Sequence, residues 1–311
     1  AVVGTFLYSQ PVGRTARFAI LRRMVMPTKA KKMNWEDAMN QWLESSWYLD
    51  ERYARLEAGE TIPSTWRIGS KPNLNQLHYE AKRTMPQERV TSYLQKEVDN
   101  CKKLVEGVRT SDVSSHSQPR TPADVPDDGK FRLVILDPSE VTSRDNPSEL
   151  AVRFMNESSS PGRKFRNAVL VASTSGQGWE RMRQTALNIL AWRQVKVDLQ
   201  SSTDNDPERL SEVQDKIRDA ERELPNRILN AYTNIVHWDT SGEIVVSSVH
   251  QQGGSLWERM KKTQTLDLKE ETFTPATLLP GKSLGKAIWG EERHERYLDD
   301  VKKMFAQDSK L

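Results

Sequence analysis

Two apolar runs of this chain end at residues whose types could do chemistry. Residues 131–136 end at Asp137, and residues 168–173 run through a short loop into Gly176 and Gly178, where an amphipathic helix begins. Apolar runs of this length are typical of buried parallel strands, which deliver polar groups to one edge of a sheet. A strand-end carboxylate can help to hold Mg²⁺, and a helix N-terminus favours an anion. The pattern indicates a degenerate nucleotide site at Asp137, Gly176 and Gly178.

The ordinary alternative is that these residues only shape turns. A strand-end Asp commonly caps the turn that follows it, and most Gly-x-Gly pairs are turns. We favour this interpretation for Asp137 because the chain has no convincing phosphate lysine. Gly281-Lys282-Ser283 matches the end of the G-x-x-x-x-G-K-[ST] motif, but Ala276 stands where its first glycine should be. We therefore expect no ATP hydrolysis and assign no catalytic residue.

A basic loop precedes the second apolar run. Arg163 and Arg166 flank Phe165 in this loop, which also holds Pro161 and Gly162, and Asn167 follows. Guanidinium forks on such a loop could contact a phosphate or a neighbouring subunit, so we predict this role for Arg163, Arg166 and Asn167, with the arginines reaching outward. A solvated basic loop is the alternative.

The N-terminal part of the chain carries a run of cations. Seven basic residues precede the first acidic one, Glu36, and four of them are candidate DNA-facing residues: Arg14, Arg17, Arg22 and Arg23. The same residues could form a solvated helix face in a larger assembly. The five histidines show no metal-ligand spacing, so we assign no metal.

Composition limits the class of protein. The hydrophobic fraction of 36% is low and the charged fraction of 29% is high, which favours several small helix-rich units. The net charge of +3 says nothing about nucleic acid. A single cysteine, Cys101, cannot form an internal disulfide and suits a reducing compartment, and no apolar run approaches membrane-spanning length. We expect a cytoplasmic protein with no membrane partner.

The order of elements predicts an α/β fold: a helix-rich, winged-helix-like N-terminal unit, an α/β domain with a small parallel or mixed sheet, and a helical C-terminal tail. The wing would consist of two short strands, at residues 46–50 and 65–68. The predicted boundaries are 1–108 for the winged-helix-like domain, 109–130 for a linker, 131–252 for the degenerate nucleotide-fold domain and 253–311 for the helical segment.

Several short segments of the chain resemble a known family. They are Phe6 to Ser9, Trp47 to Asp50, Lys71 to Asn75, Ser160 to Asn167 and Leu190 to Trp192. They resemble the C-terminal part of the large AAA+ ATPases of the PglY/BrxC-like kind, found in bacterial and archaeal phage-exclusion gene clusters. The resemblance implies a subunit of an anti-phage defence system whose Walker motifs lie before Ala1. ATP and Mg²⁺ would be cofactors of the parent protein, and this part would hold none.

We therefore predict a non-catalytic C-terminal fragment of a AAA+-type defence ATPase, serving assembly, DNA contact or partner docking. The apolar start of the chain, without a methionine, also indicates a fragment. Other defence proteins are the predicted partners, and DNA and a second copy of the chain are further candidates. One alternative is a free-standing winged-helix DNA-binding regulator with an α/β sensing domain. Another is an authentic NTPase that uses Asp137 and the 176–178 loop.

Overall fold

The computed structural model describes most of the chain in two compact units. The described ranges are 14–25, 32–50, 60–69, 72–108, 113–159, 162–202, 206–266 and 298–307, together with Val3, Thr5, Tyr53, Ala54 and Leu56. One unit combines Ala1–Met85 with Leu187–Asp219, and the other combines Pro86–Ala186 with Ala220–Leu311. Neither unit is continuous along the sequence.

The elements follow one another in an α/β order. In chain order they are β1 (Ala16–Arg17), α1 (Phe18–Val25), α2 (Lys32–Ser45), β2 (Thr65–Trp66), α3 (Leu74–Thr84), α4 (Gln87–Asn100), α5 (Lys102–Val105), β3 (Val113–Ser117), β4 (Phe131–Ile135), α6 (Glu149–Asn156), β5 (Val169–Ser173), α7 (Gly176–Ser201), α8 (Pro207–Ala231), β6 (Asn234–Trp238), β7 (Ile244–Ser248), α9 (Leu256–Lys261) and α10 (Leu298–Gln307). The mixed α/β class predicted from the sequence is confirmed. None of the helices in the described ranges is long and apolar enough to cross a membrane.

The first unit is a helical cluster with a small sheet. Strands β1 and β2 pair antiparallel, and a core that includes Leu21, Met39 and Trp66 lies beneath them. Trp42 stacks on Trp66 with 5.3 Å between ring centroids. The segment Pro72 to Asn75 has a local structural role here. The side chain of Asn73 caps α3 by accepting a hydrogen bond from the Asn75 N–H at 2.7 Å.

The predicted wing differs from the observed small sheet. The wing strand expected at residues 46–50 is reduced to a single bridge between Leu49 and Ile68, and β2 pairs with β1 instead. Trp47 and Tyr48 are largely exposed, so this segment lacks the half-buried face that stabilises a strand.

The second unit is built on a five-stranded mixed sheet. The strands follow the order β3-β4-β5-β6-β7, with β3, β4 and β5 parallel and with β6 and β7 antiparallel to their neighbours. Helix α6 packs Phe154 and Met155 onto Val171 and Val236 of the sheet. Its first turn is capped by Ser148, whose hydroxyl accepts a hydrogen bond from the Ala151 N–H at 3.2 Å.

The region predicted to be a linker contains a strand. Strand β3 lies within residues 109–130 and pairs in parallel with β4, from Val113 opposite Phe131 to Ser117 opposite Ile135. Its sequence, Val-Ser-Ser-His-Ser, has no apolar run because β3 is an edge strand with no fully buried residue. Because the side chains of β3 are polar, the apolar pattern of the sequence did not predict this strand.

The compact units also differ from the predicted domains. Helix α4 was assigned to the N-terminal domain, but it belongs to the unit that holds the five-stranded sheet. The side-chain amide of Gln118, just after β3, donates to the Gln95 carbonyl oxygen of α4 at 2.7 Å. Residues 187–219, predicted to lie in the α/β domain, belong to the first unit. The helical C-terminal segment is represented by α9 and α10, and residues 267–297 lie outside the described residues.

A half-buried histidine in the first unit makes its stability depend on pH. The ring of His78 stacks on Trp192 at 4.0 Å, and its Nε2 lies 3.3 Å from the Asn188 carbonyl oxygen. Burial is the main cause that lowers the pKa of His78 from 6.5 to about 4. The unfolded chain therefore takes up this proton first as the pH falls. The stabilisation by neutral His78 is complete above about pH 6.5 and is lost progressively toward pH 4.

We expect His78→Gln to weaken the acid sensitivity of this unit, because glutamine cannot be protonated in the unfolded state. The measurement is thermal unfolding by tryptophan fluorescence at pH 7 and pH 4.5. The wild-type Tm should fall more than the variant Tm, and replacement of the exposed His250 by Gln serves as the control. Equal falls in all three proteins would contradict the assignment.

Candidate functional site

Asp137 and Gly176 lie at the same edge of the sheet, just beyond the carboxyl ends of the neighbouring parallel strands β4 and β5. The carboxylate of Asp137 is engaged inside the protein. One oxygen accepts from the backbone N–H and the hydroxyl of Ser139, at 2.9 and 2.5 Å, and the other accepts from the Gln95 side-chain amide at 2.6 Å. These are the contacts of a turn-capping carboxylate. Among the described residues, no cluster of three or more His, Cys, Asp or Glu side chains could hold a metal ion.

The two glycines of the β5–α7 turn have different roles. A Cβ added at Gly178 would lie 2.7 Å from the Ala231 Cα and 2.9 Å from the Ala231 carbonyl oxygen. The same carbonyl oxygen accepts a hydrogen bond from the Ser175 N–H at 3.1 Å. Gly178 is therefore required because the start of α7 touches the end of α8. A Cβ at Gly176 would meet only the Val141 side chain, at 3.8 Å, so Gly176 is not constrained in this way.

The expectation that Arg163 reaches outward is wrong. Arg163 is only 3% exposed, its Nε donates to the Phe154 carbonyl oxygen at 3.0 Å, and its Nη1 lies 3.8 Å from an oxygen of Asp127. The carboxylate of Asp127 also accepts hydrogen bonds from the N–H groups of Lys164 and Phe165, which holds the loop inward. Burial lowers the pKa of Arg163. Its side chain is part of the interior rather than a surface contact.

The rest of the basic loop docks the C-terminal helix. The Asn167 side-chain amide donates to the Phe305 carbonyl oxygen of α10 at 3.1 Å, and Phe165 and Ala168 form a small apolar cluster with Ala306. Asn167 is thus occupied by a contact within the chain. Arg166 is exposed, and its guanidinium lies 4.8 Å from the centre of the Trp238 ring. Of the loop residues predicted to make external contacts, Arg166 is the one the structure leaves on the surface.

The predicted DNA-facing arginines lie on the surface of the first unit. Arg14, just before β1, and Arg17 of β1 are exposed. In α1, Arg23 is exposed and Arg22 is half-buried, while Leu21 is fully buried. Helix α1 therefore has one face in the core and a basic outer face. This placement fits both a DNA-phosphate contact and a solvated helix face.

A basic cavity that the sequence did not predict lies beside the β5–α7 turn. We call it the arginine cavity, since it is lined by Arg181 of α7, Arg227 of α8 and Arg259 of α9, and its volume is about 560 Å³. Ser175 and Gly178 of the turn also line it. Among the described residues, no aspartate or glutamate contributes to the lining. Three cations thus share one concave space at the start of a long helix.

Arg259 is the buried member of this cavity. It is 6% exposed, and its guanidinium donates to the carbonyl oxygens of Leu229 and Gly253, each at 3.3 Å, and to the Asn230 side-chain oxygen at 2.8 Å. Burial lowers its pKa. None of these acceptors carries a charge, and no carboxylate of the described residues lies within ion-pair distance of Arg259. Within the part of the chain that the structure describes, its positive charge therefore has no acidic partner.

The other two arginines are more accessible. Arg181 is exposed, and Arg227 forms an ion pair with Glu223 at 2.5 Å in which both side chains are largely solvated. A solvated pair of this kind stabilises little and can exchange its partner easily. Sequence reasoning missed all three arginines because they lie on different helices, as far apart as residues 181 and 259. Only the position of Arg181, shortly after the Gly-x-Gly turn, pointed to this region.

We expect Arg163→Ala to destabilise the protein by about 3 kcal/mol, because the substitution leaves Asp127 and a buried carbonyl oxygen without their cationic partner. Arg166→Ala serves as the matched control, with an expected loss within about 1 kcal/mol, since it removes only an exposed cation–π contact. The measurement is urea unfolding of the full chain. Equal losses for the two variants would contradict the buried role of Arg163.

Comparisons with protein-family models, with curated proteins and with solved structures found no match to this chain. The functional assignments below therefore depend on the chemistry of its own residues. The resemblance to the PglY/BrxC-like ATPases stays a prediction.

Proposed function

We propose that the second unit is a phosphate-binding domain that does not hydrolyse nucleotide. The observation that carries this proposal is the arginine cavity, in which Arg181, Arg227 and Arg259 converge beside the N-terminus of α7. A buried guanidinium without a carboxylate partner is costly for the fold unless an anion joins it. Arginine forks match phosphate oxygens in geometry as well as in charge.

The placement of the cavity also supports an anionic ligand. The first N–H groups of an α-helix have no acceptor within the helix, and the helix dipole adds positive potential at that end. Helix α7 is 26 residues long, and Gln177 and Gly178 of its first turn line the cavity. The Gly178 N–H already donates to the Ser175 hydroxyl at 3.2 Å, so it is the dipole of α7 that adds its positive potential to the three guanidiniums.

Hydrolysis requires an acidic group, and no acidic residue is among the described residues that line the cavity. Phosphoryl transfer depends on a cation at the γ-phosphate and on Mg²⁺ held by an acidic residue. The best acidic candidate, Asp137, is occupied by Ser139 and Gln95. We therefore infer binding without turnover, which favours the non-catalytic prediction over an authentic NTPase.

At the level of the whole protein, we propose a non-catalytic C-terminal part of a AAA+-type ATPase of a bacterial anti-phage defence system. This part would serve assembly and docking, with other defence proteins as partners. A second copy of the chain is a further candidate partner. Arg166 would be the surface residue of the basic loop that meets a neighbour. The support is the family resemblance together with a nucleotide-like α/β domain that has the arginine cavity in place of a phosphate lysine.

The test combines binding and turnover. Titration of the full chain with ATP in a phosphate-free buffer should give saturable binding, and phosphate release with ATP and Mg²⁺ should not exceed that of a mock preparation. Release that is clearly above the mock and is abolished by Asp137→Ala would show a working NTPase and would contradict the proposal. So would the absence of any binding to ATP or pyrophosphate.

DNA contact through the basic surface formed by Arg14, Arg17 and the outer face of α1 is a second candidate function. The exposed side chains of Arg14, Arg17 and Arg23 favour it. We expect charge reversal of Arg22 and Arg23 to weaken DNA binding in a mobility-shift titration, and the wild-type affinity to fall steeply with salt because the contact is to phosphates. Affinity that is indifferent to salt, or unchanged by the reversal, would contradict this function.

A further inference from the structure

We propose that the arginine cavity recognises a chain of two or more linked phosphate groups and leaves the rest of the ligand outside. The ligand class is an oligophosphate, either free pyrophosphate or the diphosphate part of any nucleoside diphosphate, whatever its base. This inference rests on the proposed phosphate-binding function and specifies its ligand.

The size of the cavity argues against a single phosphate. A volume of about 560 Å³ lies within the usual range of ligand pockets and is more room than one phosphate group needs. The cations come from three separate helices, so a ligand that meets all of them contacts three elements of the fold.

The number of available donors leads to the same conclusion. A guanidinium has five N–H groups, and Arg259 uses three of them on Leu229, Gly253 and Asn230. Two N–H groups of Arg259 are left for a ligand, in addition to the forks of Arg181 and Arg227. Two linked phosphates offer these forks about twice as many acceptor oxygens as one phosphate monoester, whose oxygens the three arginines would have to share.

The charges agree with this count. Glu223 already neutralises part of the charge of Arg227, while Arg259 has no carboxylate partner among the described residues and Arg181 adds a further cation. A phosphate monoester carries a charge of about −1.5 to −2, and a second phosphate adds to it. Three guanidiniums and the Glu223 carboxylate leave a net charge of about +2 among these side chains, which a diphosphate neutralises in full and a singly charged anion would not.

The cavity contains no platform for a base. Among the described residues that line it, none is aromatic, and Val249 is the largest apolar side chain. Pockets that hold a base or another flat ring are usually lined by aromatic and aliphatic side chains. The base of a bound nucleotide would therefore lie outside the cavity and contribute little to its affinity.

The backbone around the cavity is shaped for close approach. A Cβ added at Gly253, where φ is +157°, would lie 3.0 Å from the Arg259 Cγ. Glycine at this position lets the carbonyl oxygen of residue 253 come close enough to hold the Arg259 side chain in place. The buried cation is thus positioned before a ligand arrives, which reduces the cost of ordering it on binding.

The test is calorimetric titration of the full chain with pyrophosphate, ADP, GDP, CDP, AMP and inorganic phosphate. Pyrophosphate and the three diphosphates should bind within about threefold of one another, and AMP and inorganic phosphate about tenfold or more weakly, since each good charge-assisted contact is worth roughly tenfold. Arg181→Gln should weaken pyrophosphate binding by about tenfold. Arg183→Gln is the matched control: Arg183 lies in the same helix, pairs with Glu180 at 2.8 Å and does not line the cavity, so its loss should leave affinity unchanged.

Three results would overturn this inference. Diphosphates that differ by more than about tenfold with the base would show a base pocket, and the phosphate-binding function would stand. A single-stranded oligonucleotide that binds more tightly than pyrophosphate, and loses its binding in Arg181→Gln, would make a nucleic-acid backbone the occupant. If no phosphate compound binds, both the ligand assignment and the proposed function fail. Arg181 is exposed, so its substitution tests the cavity without risk to the fold.

Discussion

The close contact between the start of α7 and the end of α8 is the constraint on which the second unit depends. At Gly178 the two backbones approach so closely that no Cβ fits beside Ala231. Tyr232, which follows Ala231, is fully buried. Its hydroxyl donates to the carbonyl oxygen of Leu136, just beyond β4, at 2.7 Å. One junction therefore ties two strands and two helices together. The arginine cavity forms beside it because α7 and α8 each bring one arginine to that place.

The same unit shows how one carboxylate can organise a surface loop. Asp127 accepts two backbone N–H groups and faces the guanidinium of Arg163, so a loop that is strongly basic in sequence turns one of its arginines inward. The inward turn places Phe165 and Asn167 where α10 can pack. The side chain of Arg163 thus makes its contacts within the fold, although its charge and its place in a basic loop predicted an outward position.

Burial without an acidic partner among the described residues separates Arg259 of the arginine cavity from Arg163 and Arg166. The buried guanidinium of Arg163 faces a carboxylate, and the exposed guanidinium of Arg166 rests on an aromatic ring. The acceptors of Arg259 in the described ranges are all neutral, and Arg259 lies in a concave space with two further cations. An electrostatic imbalance of this kind stabilises a bound anion and destabilises the free protein slightly, a compromise typical of binding sites. For this reason we connect function to the arginine cavity.

The sequence by itself determined the α/β class, the apolar strands β4 and β5, the long helices after them and the special position of the Gly-x-Gly turn. Each of these is a local property, since apolar periodicity, glycine and capping residues act within a few positions of the chain. The sequence could not reveal β3, whose edge position needs no apolar pattern, nor the inward turn of Arg163, which depends on a carboxylate 36 positions earlier. Only the tertiary structure decided that Arg181, Arg227 and Arg259 share one cavity, because the packing of α7, α8 and α9 brings together charges that the chain holds far apart.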